Sequence, residues 1–352
     1  MSATAYIKRR WKLLLNILTI AALVALCFGL RRELLTTLDN LMRVKAWMLL
    51  LLIPVEALNY HAQARFYEKV FAMVDEKLSY WSMYKVSLEL NFVNHVFPSG
   101  GVAGVSYFSY RLRQFGVRGA KATLVQSMKL LLLFSSFIIL LVFGMVALAV
   151  RGHVNDVVLS IGASLTTLIV VGTLLFVYVI GSQARIHMFL RSVVVGMNWL
   201  IHLVRPRHPE TINLAGASKV FEEFHQDYIL MRSRSRQLLG PVWWSLVANI
   251  AEVAAVYVVY MAFGSYVNIG AVILAYAIAN FAGLVSVLPG GVGIYEALMT
   301  SVLVATGIPV SLSLPVTIMY RVLNTLLQLP PGYALYHQTL RRPSPAPELG
   351  DE

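Results

Sequence analysis

A proline and three glycines interrupt a long apolar stretch in the second half of the chain, and this interruption limits the fold more than any other sequence feature. Residues 288–296 read Leu-Pro-Gly-Gly-Val-Gly-Ile-Tyr-Glu. Proline lacks a backbone N–H and clashes with the preceding helical turn, so the pattern predicts a helix break near Pro289. Inside a bilayer, the freed backbone groups need partners, and a break persists only where protein covers it or a wet cavity reaches it. The break therefore predicts a binding site.

A second break occurs in the first half of the chain, at Pro98, which is also followed by glycines. Gly116 lies 18 residues after Pro98, and Gly307 lies 18 residues after Pro289. Such self-similarity indicates that one structural unit occurs twice. We interpret the chain as two copies of a unit that each contain a broken helix.

The composition is typical of a polytopic membrane protein. Of the 352 residues, 58% are hydrophobic and 13% are charged. The formal net charge of +12 does not indicate nucleic-acid binding, because the basic residues lie at the ends of apolar segments and not along one face. Positive residues in that position hold loops in the cytoplasm. We expect a multi-pass protein of the bacterial inner membrane with both termini in the cytoplasm.

We predict an all-α polytopic membrane protein with six spanning helices and two re-entrant hairpins in an inverted repeat. The hairpins are expected at 80–116 and 268–307, entering the membrane from opposite faces. This arrangement keeps the basic segments at 111–121 and 183–239, which two spans separate, in the cytoplasm, whereas a full span at 80–97 would place them outside. The six spans are expected at residues 13–30, 46–64, 125–150, 157–181, 242–263 and 309–336.

The same pattern divides the chain into five parts. An anchor helix and loop occupy 1–45, and the first repeat follows at 46–150. Residues 151–239 hold a linking span and a cytoplasmic amphipathic segment. The second repeat covers 240–337, and a proline-rich, acidic tail at 338–352 is expected to be disordered.

Several ionisable residues lie within the apolar segments, where each charge is costly and so has a partner or a use. One interpretation is a polar cavity between the hairpins, and the other is a set of internal ion pairs, such as Glu296 with Arg321. Glu56 and Glu252 each follow a tryptophan by nine positions, so we expect them at equivalent places. The ionisable residues in this group are Glu56, Glu89, Lys129, Glu252, Glu296 and Arg321. The candidate substrate-binding residues are Glu56, Glu252, Pro98, Gly100, Gly101, Pro289, Gly290, Gly291, Gly293, Tyr295, Glu296, Arg321 and Arg111.

Arg321 is the strongest candidate for contact with an anionic substrate. Its planar guanidinium can hold a phosphate through two hydrogen bonds at once. The break near Pro289 starts a new half-helix, and the amides of that helix amino terminus also favour an anion. We expect Glu296 to hold Arg321 while the site is empty.

Common enzyme motifs are missing from the sequence. It contains no His-Glu-x-x-His zinc motif, no Gly-x-Ser-x-Gly elbow and no phosphate-binding loop, and its single cysteine excludes a cysteine-rich metal site. We therefore predict no metal and no cofactor, and prefer a transporter to an enzyme. Two alternatives remain: a membrane acyl or glycosyl transferase that uses Glu56 or Glu296, and a non-catalytic scaffold. Association into a homo-oligomer is compatible with the sequence.

The motif at 288–296, with Gly307-Ile308-Pro309 downstream and Arg321 in the last apolar segment, resembles the lysylphosphatidylglycerol synthase transmembrane-region family. That family includes the flippase half of the bacterial multiple-peptide-resistance factor and stand-alone proteins of similar length. The resemblance implies a flippase that moves a lipid with an anionic head group between leaflets. Phospholipids, aminoacyl-phospholipids and polyprenyl-phosphate-linked sugars all carry the phosphate that such a site would bind.

Overall fold

The computed structural model describes residues 31–42, 44–97, 102–150, 232–285 and 293–341, with separate positions between 160 and 229. Throughout these residues the regular structure is helical, without a strand. Several predicted features lie outside the described residues: the anchor helix at 13–30, the two breaks at 98–101 and 286–292, most of the linking span and amphipathic segment at 151–231, and the end of the tail at 342–352.

Nine α-helices have defined bounds in the described part of the chain. They are α1 (Arg31–Leu41), α2 (Leu52–Met73), α3 (Tyr80–Val96), α4 (Val102–Arg113), α5 (Gly119–Val150), α6 (Leu239–Ala262), α7 (Ile269–Val285), α8 (Ile294–Ala305) and α9 (Val310–Arg341). Short 3₁₀ turns at Ala46–Leu51 and Ser235–Leu238 lead directly into α2 and α6.

Helix lengths recur in the two halves. Both α3 and α7 have 17 residues, α4 and α8 have 12, and α5 and α9 have 32. The helix ends recur as well, because α4 and α8 are each followed by a glycine with positive φ, Gly116 at 80° and Gly307 at 91°. In both places the next amide bonds a carbonyl five residues back, Val117 to Leu112 and Ile308 to Leu303. A left-handed glycine closes a helix in this way at little cost.

Basic side chains collect where several helix ends meet, and we call this part of the molecule the basic end. Lys121, near the start of α5, donates to the Val74 carbonyl over 3.1 Å and to Glu76 over 2.7 Å. Arg234 donates to the Met73 carbonyl and to both carboxylate oxygens of Asp75. These hydrogen bonds lower the pKa of the Asp75 carboxyl below its usual value. They also place the α2–α3 connection beside the start of α5, close to where α4 ends.

Other contacts define the opposite end of the molecule. The Lys45 amide donates to the carbonyl of Ala262, the last residue of α6. The Asn268 side chain donates over 3.4 Å to the Ala147 carbonyl in the last turns of α5. Helix α5 therefore runs from the basic end to the opposite end, and α7 begins at the opposite end.

Two close helix crossings depend on glycine. A side chain on Gly270 of α7 would lie 2.3 Å from the Gly144 carbonyl oxygen of α5. A side chain on Gly332 of α9 would lie 2.8 Å from the Leu88 carbonyl oxygen of α3. Small residues let helix backbones approach closely, as is common between membrane helices. Each half therefore packs its 17-residue helix against the 32-residue helix of the other half.

Three described helices are long and apolar enough to cross a membrane: 121–148 within α5, 235–262 including α6, and α9. Helix α2 has 22 residues but is not among them, since it carries Glu56, Asn59 and other polar residues. Exposed aromatic side chains lie near both ends of the molecule, with Trp243 near the basic end and Trp47 and Tyr266 near the opposite end. Such residues favour the membrane–water interface.

Candidate functional site

A polar cavity of about 300 Å³ lies among α3, α5, α6, α7, α8 and α9. Its volume is at the lower limit for small-molecule sites and would hold a head group but not acyl chains. Amide side chains dominate its polar lining: Asn91, Asn94, Asn249, Asn280, Asn324 and Gln328. The cavity therefore combines a membrane-protein setting with many hydrogen-bonding groups.

Helical spacing directs these side chains towards one place. In α9, Arg321, Asn324 and Gln328 follow one another at intervals of three and four residues, so they share one face. In α3, residues 94 and 95 follow residue 91 by three and four positions, and all three line the cavity. The flanking positions are apolar, so each helix presents one polar stripe inward.

Arg321 lines the cavity and pairs with the first turn of α8. Its Nη1 atom donates to Glu296 Oε1 over 2.5 Å, and its guanidinium carbon lies 4.6 Å from the centre of the Tyr295 ring. Glu296 Oε2 also accepts the Gly293 amide over 2.6 Å and so caps α8. Gly293 has a φ of 87°, which favours glycine at this position. The Glu296 carboxylate thus accepts hydrogen bonds from both Arg321 and the amide at the amino terminus of α8.

Glu252 is the acidic residue among those lining the cavity. Its Oε1 atom accepts the Asn59 side-chain amide. Its Oε2 atom accepts the Tyr320 hydroxyl over 2.6 Å and, more weakly, the Asn324 amide over 3.4 Å. These donors hold the carboxylate in one orientation on the wall of the cavity.

Glu56 lies just outside the cavity, behind the lining residue Gln328. Gln328, which lines the cavity, donates from Nε2 to Glu56 Oε2 over 2.9 Å and to Asn324 Oδ1 over 2.6 Å. Glu56 is 5% exposed, and its Oε1 atom has no hydrogen-bond partner among the described residues. The two carboxylates expected at equivalent places are therefore joined through the α9 amides.

The hydrogen bonds continue from Glu252 across the bundle. Asn59 accepts Gln63 Nε2 over 3.1 Å, and Gln63 Oε1 accepts Lys129 Nζ over 3.1 Å. The Lys129 ammonium also lies 4.9 Å from the centre of the Tyr67 ring. A connected polar network thus leads from Lys129 on α5, through α2, to the cavity wall.

Arg111, a sequence-predicted substrate contact, does not line the cavity. It is 3% exposed and donates from Nε to Glu89 Oε2 over 2.9 Å. Glu89 also accepts the hydroxyls of Tyr107 and Thr339. This buried cluster joins α3, α4 and α9, and Arg111 lies within it.

The other candidate residues divide into two groups. Tyr295 and Arg321 line the cavity together with Glu252, while Glu296, Gly293 and Glu56 adjoin the lining. Pro98, Gly100, Gly101, Pro289, Gly290 and Gly291 lie outside the described residues. In the part of the chain that the structure describes, no group of three or more His, Cys, Asp or Glu residues is placed to hold a metal ion.

The sequence matches a known protein family over most of its length. The family profile of the lysylphosphatidylglycerol synthase TM region matches residues 13–332. The chain belongs to this family. The match confirms the resemblance that the motif at 288–296 and Arg321 indicated.

Two relatives within this lysylphosphatidylglycerol synthase TM-region family show local similarity. A UPF0104 membrane protein from Methanothermobacter thermautotrophicus is 35% identical over 80 residues, which are 23% of this chain and 24% of that protein. A UPF0104 membrane protein from Pyrococcus horikoshii is 24% identical over 102 residues, which are 29% of this chain and 30% of that protein. The matched segments thus span less than a third of either relative.

Most amides in and beside the cavity lining were not predicted from the sequence. Asn59, Asn249, Asn324 and Gln328 received no role, although they recur at intervals of three, four or seven residues around the charged positions. Polar residues at helical spacing within apolar helices are the signal that finds them.

Proposed function

We propose that the protein is a lipid transporter that moves a lipid with a phosphate-bearing head group between the two leaflets by alternating access. The observation that carries this proposal is Arg321 on the wall of a head-group-sized cavity, beside the amino terminus of α8. Phospholipids, aminoacyl-phospholipids and polyprenyl-phosphate-linked lipids share the phosphate that Arg321 would bind.

The contacts of Arg321 support an exchange in which a lipid phosphate replaces the Glu296 carboxylate. Glu296 now bonds both the Arg321 guanidinium and the Gly293 amide. A lipid phosphate offers the same acceptor chemistry with more oxygens, and a helix amino terminus favours it. We infer that the phosphate displaces Glu296 from Arg321 when the lipid enters.

The packing of the two halves supports alternating access, in which the site opens to one side of the membrane and then to the other. Helices α4 and α8 are about 18 Å long, which is too short for the hydrocarbon core of about 30 Å. The contacts of Lys121 and Arg234 bring the start of α3 and the end of α4 towards the same, basic end. We propose that α3–α4 enters from the cytoplasm and α7–α8 from outside, as in transporters with inverted repeats. The remaining spans and both cytoplasmic termini in the inner membrane are part of this proposal.

The contacts of the two acidic residues at the cavity favour transport over catalysis. Among the described lining residues, Glu252 is fixed by donors from three neighbouring side chains, and Glu296 is fixed by Arg321 and a backbone amide. Acids held in this way position other groups and are poor candidates for proton transfer to a substrate.

Reconstitution of the purified protein into liposomes tests the proposed function. The liposomes would contain fluorescent phospholipids, and an external quencher would report which labelled head groups reach the outer leaflet. We expect quenching beyond that of protein-free liposomes, and its loss in Arg321→Gln. Arg65→Gln is the matched control, because Arg65 forms a 2.8 Å surface pair with Glu68 and does not line the cavity. Quenching equal to protein-free liposomes for every lipid would contradict the proposal.

A further inference from the structure

The lining of the cavity indicates which kind of head group it accepts. We propose that the cavity selects an uncharged, hydroxyl-bearing head group attached to the lipid phosphate, in preference to a head group that carries an ammonium. This inference rests on the proposed function, since it concerns the lipid that the transporter would bind. Glycerol, inositol and hexose head groups share the required chemistry.

Amides match hydroxyls better than they match a single charge. Each Asn or Gln offers two N–H donors and a carbonyl acceptor, and each hydroxyl both donates and accepts. The six lining amides come from four helices, α3, α6, α7 and α9, so they surround the space and do not form one patch. The described contacts use one donor of Asn280, to the Tyr276 carbonyl, and one donor of Asn249, to Ser136. The two α9 amides and Asn91 already donate to protein groups, so capacity for further hydrogen bonds remains at Asn249 and Asn280.

Tyrosine side chains add a second feature that suits a polyol. Tyr276, Tyr295 and Tyr320 line the cavity, and the C–H faces of a sugar or inositol ring stack on aromatic rings. The Tyr295 hydroxyl is buried near Tyr320 but forms no hydrogen bond of regular geometry with a described residue. A buried hydroxyl without a partner is costly, so a ligand hydroxyl or a water is expected to bond it.

An ammonium head group meets a less suitable lining. Such a group needs carboxylates, and the described lining contains Glu252, with Glu296 adjoining it. Both oxygens of Glu252 accept side-chain donors, and both oxygens of Glu296 accept Arg321 or the Gly293 amide. An ammonium would have to displace the donors of Glu252. When the phosphate takes Arg321, Glu296 keeps its bond to the Gly293 amide, and its freed oxygen lies at the α8 amino terminus, where the helix dipole disfavours a cation.

Head-group selection can be measured as binding by the intact protein in detergent. Native mass spectrometry of an equimolar mixture would compare phosphatidylglycerol, phosphatidylinositol, phosphatidylethanolamine and lysyl-phosphatidylglycerol with identical acyl chains. Two extra hydrogen bonds correspond to about a tenfold preference for the two hydroxyl-bearing lipids. A separate mixture of polyprenyl phosphate and its hexosyl ester tells whether a prenyl carrier or a glycerolipid supplies the head group.

A variant isolates the contribution of the amides. Asn280→Leu keeps a similar side-chain shape, and we expect it to reduce the preference several-fold while binding of phosphatidylethanolamine stays the same. Asn280→Ser, which retains a hydroxyl, should recover part of the preference. Gln126→Leu is the matched control, because this amide bonds Tyr67 and does not line the cavity.

The outcomes separate this inference from the proposed function. Equal binding of all four phospholipids, or a preference for lysyl-phosphatidylglycerol or phosphatidylethanolamine, overturns the inference even if liposomes show transport. Selective binding of hydroxyl-bearing lipids without any transport in liposomes overturns the transporter and keeps the selective site.

Discussion

Arg321 of α9 and Glu296 of α8 form an ion pair 2.5 Å long at the edge of the cavity, and the arginine also lies over the Tyr295 ring. The pair is largely buried, with 13% and 8% of the two side chains exposed. Removing one partner of such a pair leaves an uncompensated charge, which typically costs about 3–5 kcal/mol. The pair is therefore either a fixed structural link or a gate that the substrate opens, and substitutions distinguish the two.

Arg321→Lys tests whether the guanidinium holds a phosphate. The lysine keeps the charge that Glu296 needs but loses the planar fork, so we expect normal folding and a lipid affinity about 10- to 100-fold weaker, as for the loss of one charged hydrogen bond. Lipid titrations of detergent-solubilised protein and transport in liposomes would measure both effects. Parent-like transport by this variant would assign Arg321 to packing.

Glu296→Gln tests whether the carboxylate competes with the lipid for Arg321. Its amide can no longer neutralise Arg321, so an anionic lipid should bind more tightly and leave more slowly. We expect a lower turnover in liposomes together with a higher affinity for phosphatidylglycerol. If instead both affinity and folded yield fall, Glu296 stabilises the fold and does not compete with the lipid.

Glu56 and Glu252 differ in their contacts, and this predicts different responses to glutamine. Glu252 accepts three side-chain donors, and an amide nitrogen at either oxygen position would face a donor. We expect Glu252→Gln to lower the free energy of unfolding by about 1–3 kcal/mol and to impair transport. Glu56 accepts Gln328 at one oxygen only, so Glu56→Gln should fold normally and still transport poorly. Thermal unfolding in detergent and transport per folded molecule measure the two effects separately. Parent-like transport by Glu56→Gln would assign this carboxylate no part in the site.

These residues also indicate how far sequence reasoning reaches. The sequence singles out Arg321, Glu296 and Glu252 because charges inside apolar segments are costly and therefore informative. It places Glu56 and Arg111 with them, but the structure puts Glu56 behind Gln328 and puts Arg111 in a cluster with Glu89. Spacing along a helix defines which residues share a face. It does not define which neighbouring helix covers that face.

The sequence did not predict the amide network, for a related reason. Asn and Gln carry no charge, so a search for costly charges in apolar segments passes over Asn59, Asn324 and Gln328. Their importance comes from pairing across helices that are distant in the chain, such as Gln328 with Glu56. Only the packing of α2, α6 and α9 brings these partners together.

Gly270 provides a test of the packing between the halves. A methyl group there would lie 2.3 Å from the Gly144 carbonyl oxygen and 3.0 Å from the Leu148 backbone nitrogen, so α5 and α7 would have to separate. Overpacking of this kind costs about 1–3 kcal/mol, so Gly270→Ala should unfold at a lower temperature in detergent. Gly240→Ala is the control, since its methyl group would only meet Lys69 at 3.8 Å. Equal unfolding temperatures for both variants would show that α5 and α7 do not pack this closely.

The proposed orientation of the hairpins can be tested with single cysteines in a Cys27→Ser background. Arg118 follows α4 and Ser233 precedes α6, and both are exposed at the basic end. Tyr266 lies between α6 and α7 at the opposite end and is 74% exposed. If α3–α4 enters from the cytoplasm and α7–α8 from outside, a membrane-impermeant thiol reagent added to intact cells labels Tyr266→Cys only. Arg118→Cys and Ser233→Cys should react only after the cells are opened. Labelling of Arg118→Cys and Ser233→Cys in intact cells, with Tyr266→Cys protected, would place the basic end outside and overturn the proposed entry of α3–α4 from the cytoplasm.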